Sequence, residues 1–307
     1  MIHEFALDPE VISDWQSFRF FVDQFGVPTG RLISEFPGKW KRMVYDAVKR
    51  RGGSEIERKR VEQRLSTIDD RLLKQSRNFD GGLAWVRNAV NQHKIQPFHA
   101  IISGDNTPDP KLIVKAEQVD ETHASWHVPR QAIIEREPDV LAETAAPLLL
   151  MSRRIIFVDP HFKPHRNKFL RPLEHFIVAA DLTRTKKFEY HFKVDEQVSA
   201  RLDEEFKKTC EAKIAPLLPL GTSMRLVRWR KRAGGKSFHA RYVLTEFGGI
   251  WYDYGLDEGD ELGDTTNVAL LESHVYTELW LDFQVPADMT KCSYEFDNEF
   301  LIEGSKQ

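Results

Sequence analysis

The stretch from Phe238 to Gly259, FHARYVLTEFGGIWYDYGLDEG, constrains the fold of this chain more than any other. His239 and Arg241 alternate with apolar residues, and this period of two is typical of a β-strand. The Gly248-Gly249 pair turns the chain into a second apolar strand, Ile250 to Tyr254, and a polar loop follows. The pattern predicts two neighbouring strands, with His239 and Arg241 on one face.

Three residues of this stretch are of the types that catalyse phosphoryl transfer. His239, Arg241 and Glu246 form the pattern His-x-Arg-x4-Glu. An imidazole can attack phosphorus while a neighbouring guanidinium holds the non-bridging oxygens and a carboxylate orients the ring. The alternative is an ordinary strand histidine beside a surface ion pair of Arg241 and Glu246.

The pattern resembles that of the phospholipase D superfamily, His-x-Lys-x4-Asp followed by a strand and a short turn. Arg241 stands at the family's lysine and Glu246 at its aspartate, so charge is kept while geometry changes. The resemblance implies a metal-independent phosphodiesterase or nuclease without a cofactor, with His239 forming a phosphohistidine and a second histidine protonating the leaving oxygen. Because one complete motif is present, it also implies a homodimer whose two chains share the site.

The order of elements supports this resemblance. Residues 140 to 285 are predicted as strand, helix, strand, helix, three strands and a helix, including a final helix from Asn267 to about Phe283. We therefore expect an α+β or α/β chain in which a mixed-sheet, phospholipase D-like unit follows a largely helical N-terminal region. The predicted boundaries are 1–130 for the helical and mixed region, 131–290 for the phospholipase D-like domain and 291–307 for a tail.

Asp159 is a second candidate for the site. It follows the buried strand Met151 to Val158, and open α/β sheets place their sites at the carboxyl ends of strands. Capping of the next helix is the competing interpretation, and a metal-dependent nuclease that uses Asp159 with other acids is a further one. His161-x-Lys163 looks like a second motif, but Lys168 stands where the carboxylate is expected, so we do not interpret it as a catalytic copy.

A basic stretch precedes the His239 strand and is predicted to bind a phosphodiester backbone by charge. Its members are Arg228, Arg230, Lys231, Arg232 and Lys236, with no acid among them. Asp257, in the polar loop after the second strand, is assigned to the same substrate site. A solvated hairpin tip is the alternative for the basic stretch.

Composition limits the partners. The net charge of −3 excludes a uniformly basic nucleic-acid coat, so a local patch must bind any polyanion. No apolar run reaches the roughly 18 residues that span a bilayer. Cys210 and Cys292 lack metal-ligand spacing and are interpreted as reduced thiols. We expect a cytoplasmic protein that binds nucleic acid and no membrane and possesses no metal site. The resemblance to the phospholipase D superfamily implies partner proteins of a multi-subunit system and a role such as bacterial antiviral defence.

A second class of function stays open. In this interpretation the altered motif belongs to a non-catalytic subunit that binds nucleic acid or joins an assembly. The N-terminal region offers no catalytic candidate. Its most charged segment, Ser54 to Arg77, is predicted as one long helix with ion pairs, or alternatively as a nucleic-acid or dimer contact.

Overall fold

The computed structural model describes residues 1–104, 112–120, 122–181, 186–194, 199–235, 238–284 and 293–306. The chain divides into two compact units, Met1–Arg130 and Gln131–Gln307. Both units are mixtures of helices and sheets, so the chain has an α/β fold. Among the described helices, none combines the length and apolar content that crossing a bilayer demands.

Unit 1 is built on a parallel five-stranded sheet of order β3-β2-β1-β4-β5. Apolar residues of β1 and β4 enter two buried clusters, one shared with the first two helices and the other with the fourth. The elements are β1 (His3–Leu7), α1 (Trp15–Gln24), β2 (Arg31–Ser34), α2 (Trp40–Arg50), α3 (Glu55–Leu65), β3 (Leu72–Leu73), α4 (Trp85–Ile95), β4 (Ala100–Ser103) and β5 (Ile113–Lys115).

The expectation of a largely helical N-terminal region is wrong, since unit 1 contains a five-stranded sheet. The sequence pattern does not reveal these strands because they are short and buried. Four-residue strands such as β2 show no alternation of apolar and polar residues when all four positions are buried. The predicted long helix also ends early. Ser54 forms a capping box with Glu57 at its start, but α3 stops at Leu65, and Leu72–Leu73 then pair with β2.

Unit 2 is built on an eight-stranded sheet of order β13-β9-β8-β7-β10-β11-β12-β6. Strands β7, β8 and β9 are parallel, and every other neighbouring pair is antiparallel. The elements are β6 (Gln131–Glu135), α5 (Pro138–Met151), β7 (Arg154–Val158), α6 (Asn167–Ala179), β8 (Lys187–Lys193), α7 (Ala200–Lys213), β9 (Ser223–Lys231), β10 (Arg241–Thr245), β11 (Gly248–Tyr252), β12 (Thr265–Leu270), α8 (Ser273–Asp282) and β13 (Tyr294–Glu303).

Helices cover both faces of this sheet. On one face, Ile156 and Leu244 pack in a cluster that includes Trp280 of α8. On the other face, the ring of Phe157 lies 5.3 Å from that of Phe176 in α6, and α5 accepts a hydrogen bond from the Tyr252 hydroxyl. Alternation along β7 and β10 therefore directs Asp159 and Arg241 to the α5 and α6 face.

Two predicted elements of unit 2 need correction. The predicted helix Asn267 to Phe283 is a strand, β12, followed by α8. Thr266, Val268 and Leu270 are buried at every second position, the period of a strand. The predicted tail 291–307 contains β13, which pairs with β9 from Tyr294 to Glu303 and is part of the sheet.

Candidate functional site

The candidate site lies where β7 ends and β10 begins. These strands are antiparallel, and Tyr242 pairs with Val158. The next position along this ladder brings Arg241 beside Asp159, which follows directly after β7. The parallel strands β8 and β9 end at the same edge of the sheet. Asp159 thus lies at the carboxyl edge that the sequence predicts for a site.

A pocket of about 290 Å³ opens at this edge. Its wall combines four Lys or Arg side chains and one histidine with two carboxylates. The lining residues are Asp159, His161, Lys163, Arg166, Lys168, Phe169, Arg241, Tyr254 and Asp257. Concentrated positive charge around a small pocket favours an anionic ligand.

Asp159 is a buried residue of the wall. Its side chain accepts hydrogen bonds from the backbone N–H of His161 at 2.8 Å and of Leu256 at 3.0 Å. Burial raises the pKa of Asp159 to about 6, and the nearby Asp257 carboxylate adds to this, while the two hydrogen bonds and Arg241 oppose it. Near neutral pH this carboxyl group can therefore gain or lose a proton.

Asp257, assigned to the substrate site from the sequence, lines the pocket and pairs with two cations. Its Oδ1 accepts from Arg136 at 2.9 Å, and its Oδ2 lies 3.1 Å from Lys168 Nζ. A side chain at Gly255, where φ is +137°, would bring its Cβ to 2.4 Å from Asp257 Oδ1. Glycine is therefore required there for the carboxylate to approach the backbone.

The remaining pocket cations come from a segment that sequence reasoning did not assign. His161, Lys163 and Arg166 occur in the connection from β7 to α6, and Lys168 is in the first turn of α6, which has no side-chain cap and no acid. Positive side chains are unfavourable at a helix N-terminus unless an anion is nearby. The run HFKPHRNK contains five basic residues and no acid, which is the sequence signal that indicates this cluster.

His239 and Arg241 reach the same edge. Arg241 lines the pocket, donates from Nη1 to the backbone oxygen of Asp253 at 3.1 Å, and has a buried Nε with no hydrogen-bond partner among the described residues. His239 is exposed, two residues before β10. It is not among the described residues that line the pocket.

Glu246 is not part of this constellation. It follows β10 at the opposite end from Arg241, which is about 16 Å away at the rise of a β-strand. Its carboxylate accepts from the backbone N–H groups of Arg153 at 2.6 Å and Arg154 at 3.0 Å. The expectation that Glu246 orients the His239 ring is therefore wrong, because its oxygens bind the amino end of β7.

The basic stretch is partly neutralised. A β-bulge in β13 directs Asp297, whose side chain is 1% exposed, to both Arg228 and Arg230. Arg228 also donates to Asp203 of α7 at 2.7 Å. These two arginines therefore hold β13 and α7 on β9 and do not form a free substrate surface.

The other members of the stretch are placed differently. Lys231 is exposed at the end of β9, and Arg232 is half-buried. Lys236 lies outside the described residues. Lys231 and Arg232 are thus the described members at the edge where the pocket opens.

Across the described ranges, no three His, Cys, Asp or Glu side chains are grouped to hold a metal ion. Cys210 is a buried free thiol whose pKa is raised by burial to about 12. Cys292 lies outside the described residues.

No protein-family model and no curated protein matches the sequence. Among solved structures, the chain is similar to polyphosphate kinase from Porphyromonas gingivalis, with 11% identity, a TM-score of 0.30 and coverage of 50% of this chain and 25% of that one. It is also similar to TrmBL2, described as an archaeal chromatin protein with a novel mode of DNA binding, with 12% identity, a TM-score of 0.26 and coverage of 50% of each chain. The chain thus spans a quarter of the first protein and half of the second. At such TM-scores neither likeness shows a shared fold.

Proposed function

We propose that unit 2 binds a phosphodiester, most naturally a nucleic-acid backbone, in the pocket at the β7 and β10 edge and hydrolyses it by the phospholipase D type of reaction. The observation that carries the proposal is the set of four Lys or Arg side chains and His161 around a pocket of about 290 Å³. Phosphate oxygens are strong acceptors, and guanidinium and ammonium groups bind them by charge-assisted hydrogen bonds.

In this reaction His239, which is exposed two residues before β10, attacks phosphorus. A P–N bond forms, the P–O bond to the leaving group breaks, and the leaving oxygen takes a proton from an acid in the site. Water then cleaves the phosphohistidine and restores the imidazole. Arg241 and Lys168 hold the non-bridging oxygens as charge develops on them.

Within one chain, the proton donor of this site has two candidates. His161 lies in the pocket wall, and Asp159 has a pKa raised to about 6 by burial. The absence of a carboxylate seven positions after His161 does not argue against His161, since Glu246 at the corresponding place after His239 lies at the far end of its strand.

A second candidate function is binding without cleavage. The observation in its favour is that Arg241 lines the pocket while His239, among the described residues, does not. A phosphate held only by the pocket cations would then dock nucleic acid for another subunit. Recognition would depend on backbone charge, without readout of the base sequence.

The deciding experiment uses bis(p-nitrophenyl) phosphate for cleavage and a fluorescent single-stranded DNA for binding, both in EDTA. His239→Ala is expected to lose cleavage by several orders of magnitude while still binding DNA. Arg241→Ala is expected to lose both binding and rate. His165→Ala is the control. His165 is an exposed histidine in the connection from β7 to α6, and it does not line the pocket.

The outcomes separate the two functions. Wild-type cleavage that persists in His239→Ala contradicts the phosphohistidine reaction. Absence of cleavage by the wild type, together with DNA binding that weakens in Arg241→Ala, supports the binding function. If the wild type neither cleaves the diester nor binds DNA, both proposed functions are contradicted.

A further inference from the structure

An acidic loop lies against the cationic wall of the pocket. We define the acidic loop as Gly255 to Gly263, which contains Asp257, Glu258, Asp260 and Glu261. The backbone N–H of Glu258 donates to the backbone oxygen of Lys168 at 2.8 Å. The Glu258 carboxylate pairs with Arg171 of α6 at 2.5 Å. The acidic loop is thus attached to the first turns of α6, where the pocket cations lie.

Lys168 contacts two carboxylates of this loop. Its Nζ lies 3.1 Å from Asp257 Oδ2 and 3.1 Å from Asp260 Oδ1. Burial is the largest single effect and lowers the pKa of Lys168, but the hydrogen bonds and charges of Asp260 and Asp257 together outweigh it, so the pKa is raised. The ammonium group is therefore charged at neutral pH and engaged by carboxylate oxygens at the rim of the pocket.

The two carboxylates differ in how firmly they are held. The Asp257 side chain is 10% exposed and is fixed by Arg136 as well as Lys168. The Asp260 side chain is 75% exposed, and Lys168 is the cation with which it pairs among the described residues. Exposed ion pairs are weak, since water competes for both charges. Asp260 can therefore leave Lys168 at small cost, whereas Asp257 cannot.

We propose that Asp260 is a built-in competitor of the phosphate: its carboxylate occupies Lys168 in the empty pocket and is displaced when a phosphodiester binds. This inference rests on the proposed function, because it concerns the same pocket. Carboxylate and phosphate oxygens are equivalent acceptors for an ammonium group. A ligand must thus offer more negative charge to Lys168 than Asp260 does, which selects polyanions over single weak anions.

The experiment measures the affinity of the full chain for fluorescent single-stranded DNA by anisotropy. Asp260→Asn is expected to tighten binding about twofold to threefold, the range of one exposed ion pair. Glu261→Gln removes the same charge from the next residue and is the control for long-range repulsion. Both substitutions are then repeated in a Lys168→Met background, and in Lys168→Gln should the methionine variant fold poorly.

Competition predicts that the gain of Asp260→Asn exceeds that of Glu261→Gln and disappears when Lys168 is replaced. The competitor role is overturned if the two loop variants gain equally in DNA affinity, or if the gain persists without Lys168. In either case, DNA binding by the wild type leaves the proposed function standing. Absence of DNA binding in the wild type and in Asp260→Asn overturns both.

Discussion

Arg241 and Glu246 belong to one sequence pattern but lie at opposite ends of β10. Arg241 lines the pocket, whereas Glu246 accepts hydrogen bonds from the two backbone N–H groups at the start of β7. The strand between them spans about 16 Å, so the two side chains cannot act on one phosphate. The pattern therefore combines a candidate site residue with a structural one.

Glu246→Ala is expected to lower stability and to leave function intact. Its loss removes the acceptor for the N–H groups of Arg153 and Arg154, which costs about 1–3 kcal/mol of unfolding free energy. Thermal unfolding monitored by circular dichroism measures this cost, and DNA anisotropy measures binding. Glu246→Gln keeps one acceptor oxygen and should lie between the wild type and the alanine variant. A large loss of binding by folded Glu246→Ala would contradict the structural role.

Arg228 and Lys231 are expected to behave differently although both belong to the basic stretch. Arg228→Met removes one of the two described arginines that pair with the buried Asp297. It should lower the free energy of unfolding by several kcal/mol. Lys231→Ala should leave stability unchanged and reduce the slope of log affinity against log salt by up to about one unit. Urea titrations and DNA binding at several salt concentrations distinguish them. An unchanged slope in Lys231→Ala would assign this lysine to solvent.

Asp159 is expected to make unit 2 less stable as pH rises. Its pKa is about 6 in the folded chain against an ordinary value of 3.8, so the carboxyl is protonated in both states below about pH 4. Between these two values the unfolded chain releases the proton while the folded chain keeps it. The free energy of unfolding therefore falls with rising pH, by roughly 3 kcal/mol once the folded pKa is passed.

The neutral variant Asp159→Asn lacks this dependence. Its stability relative to the wild type should increase between pH 4 and pH 7, as measured by urea unfolding at both values. Glu204→Gln, at an exposed carboxylate of α7, is the control for general charge effects. A constant difference between wild type and Asp159→Asn would mean that Asp159 titrates normally.

The chain is expected to form a homodimer if its one complete motif must meet a second copy. Sedimentation equilibrium over a range of concentrations measures the mass, and cleavage assays at the same concentrations show which species is active. A monomer that cleaves diesters would contradict the shared site. His161, in the wall of the same pocket, would then be the candidate second histidine, and His161→Ala should abolish that activity.

Much of unit 2 could be predicted from local pattern. The apolar run Ile155 to Val158 and the alternation around Arg241 both indicate strands, and each is a strand in the structure. Asp159 was a site candidate because it directly follows a buried strand. The sequence pattern did not reveal two short strands. β2 has four buried residues and no alternation, and the apolar residues of β12 run on into those of α8, so that the two look like one helix.

The neighbours of each charge were decided by tertiary structure. Asp297 comes 67 positions after Arg230, and a bulge in β13 brings them together, so the neutralised arginines could not be recognised from the run RWRKR. The acidic loop meets Lys168 because its polypeptide returns to the start of α6, 92 positions away. Local sequence determines which backbone conformation a segment prefers, whereas Coulomb interactions depend on distance in space, and only the folded chain sets those distances.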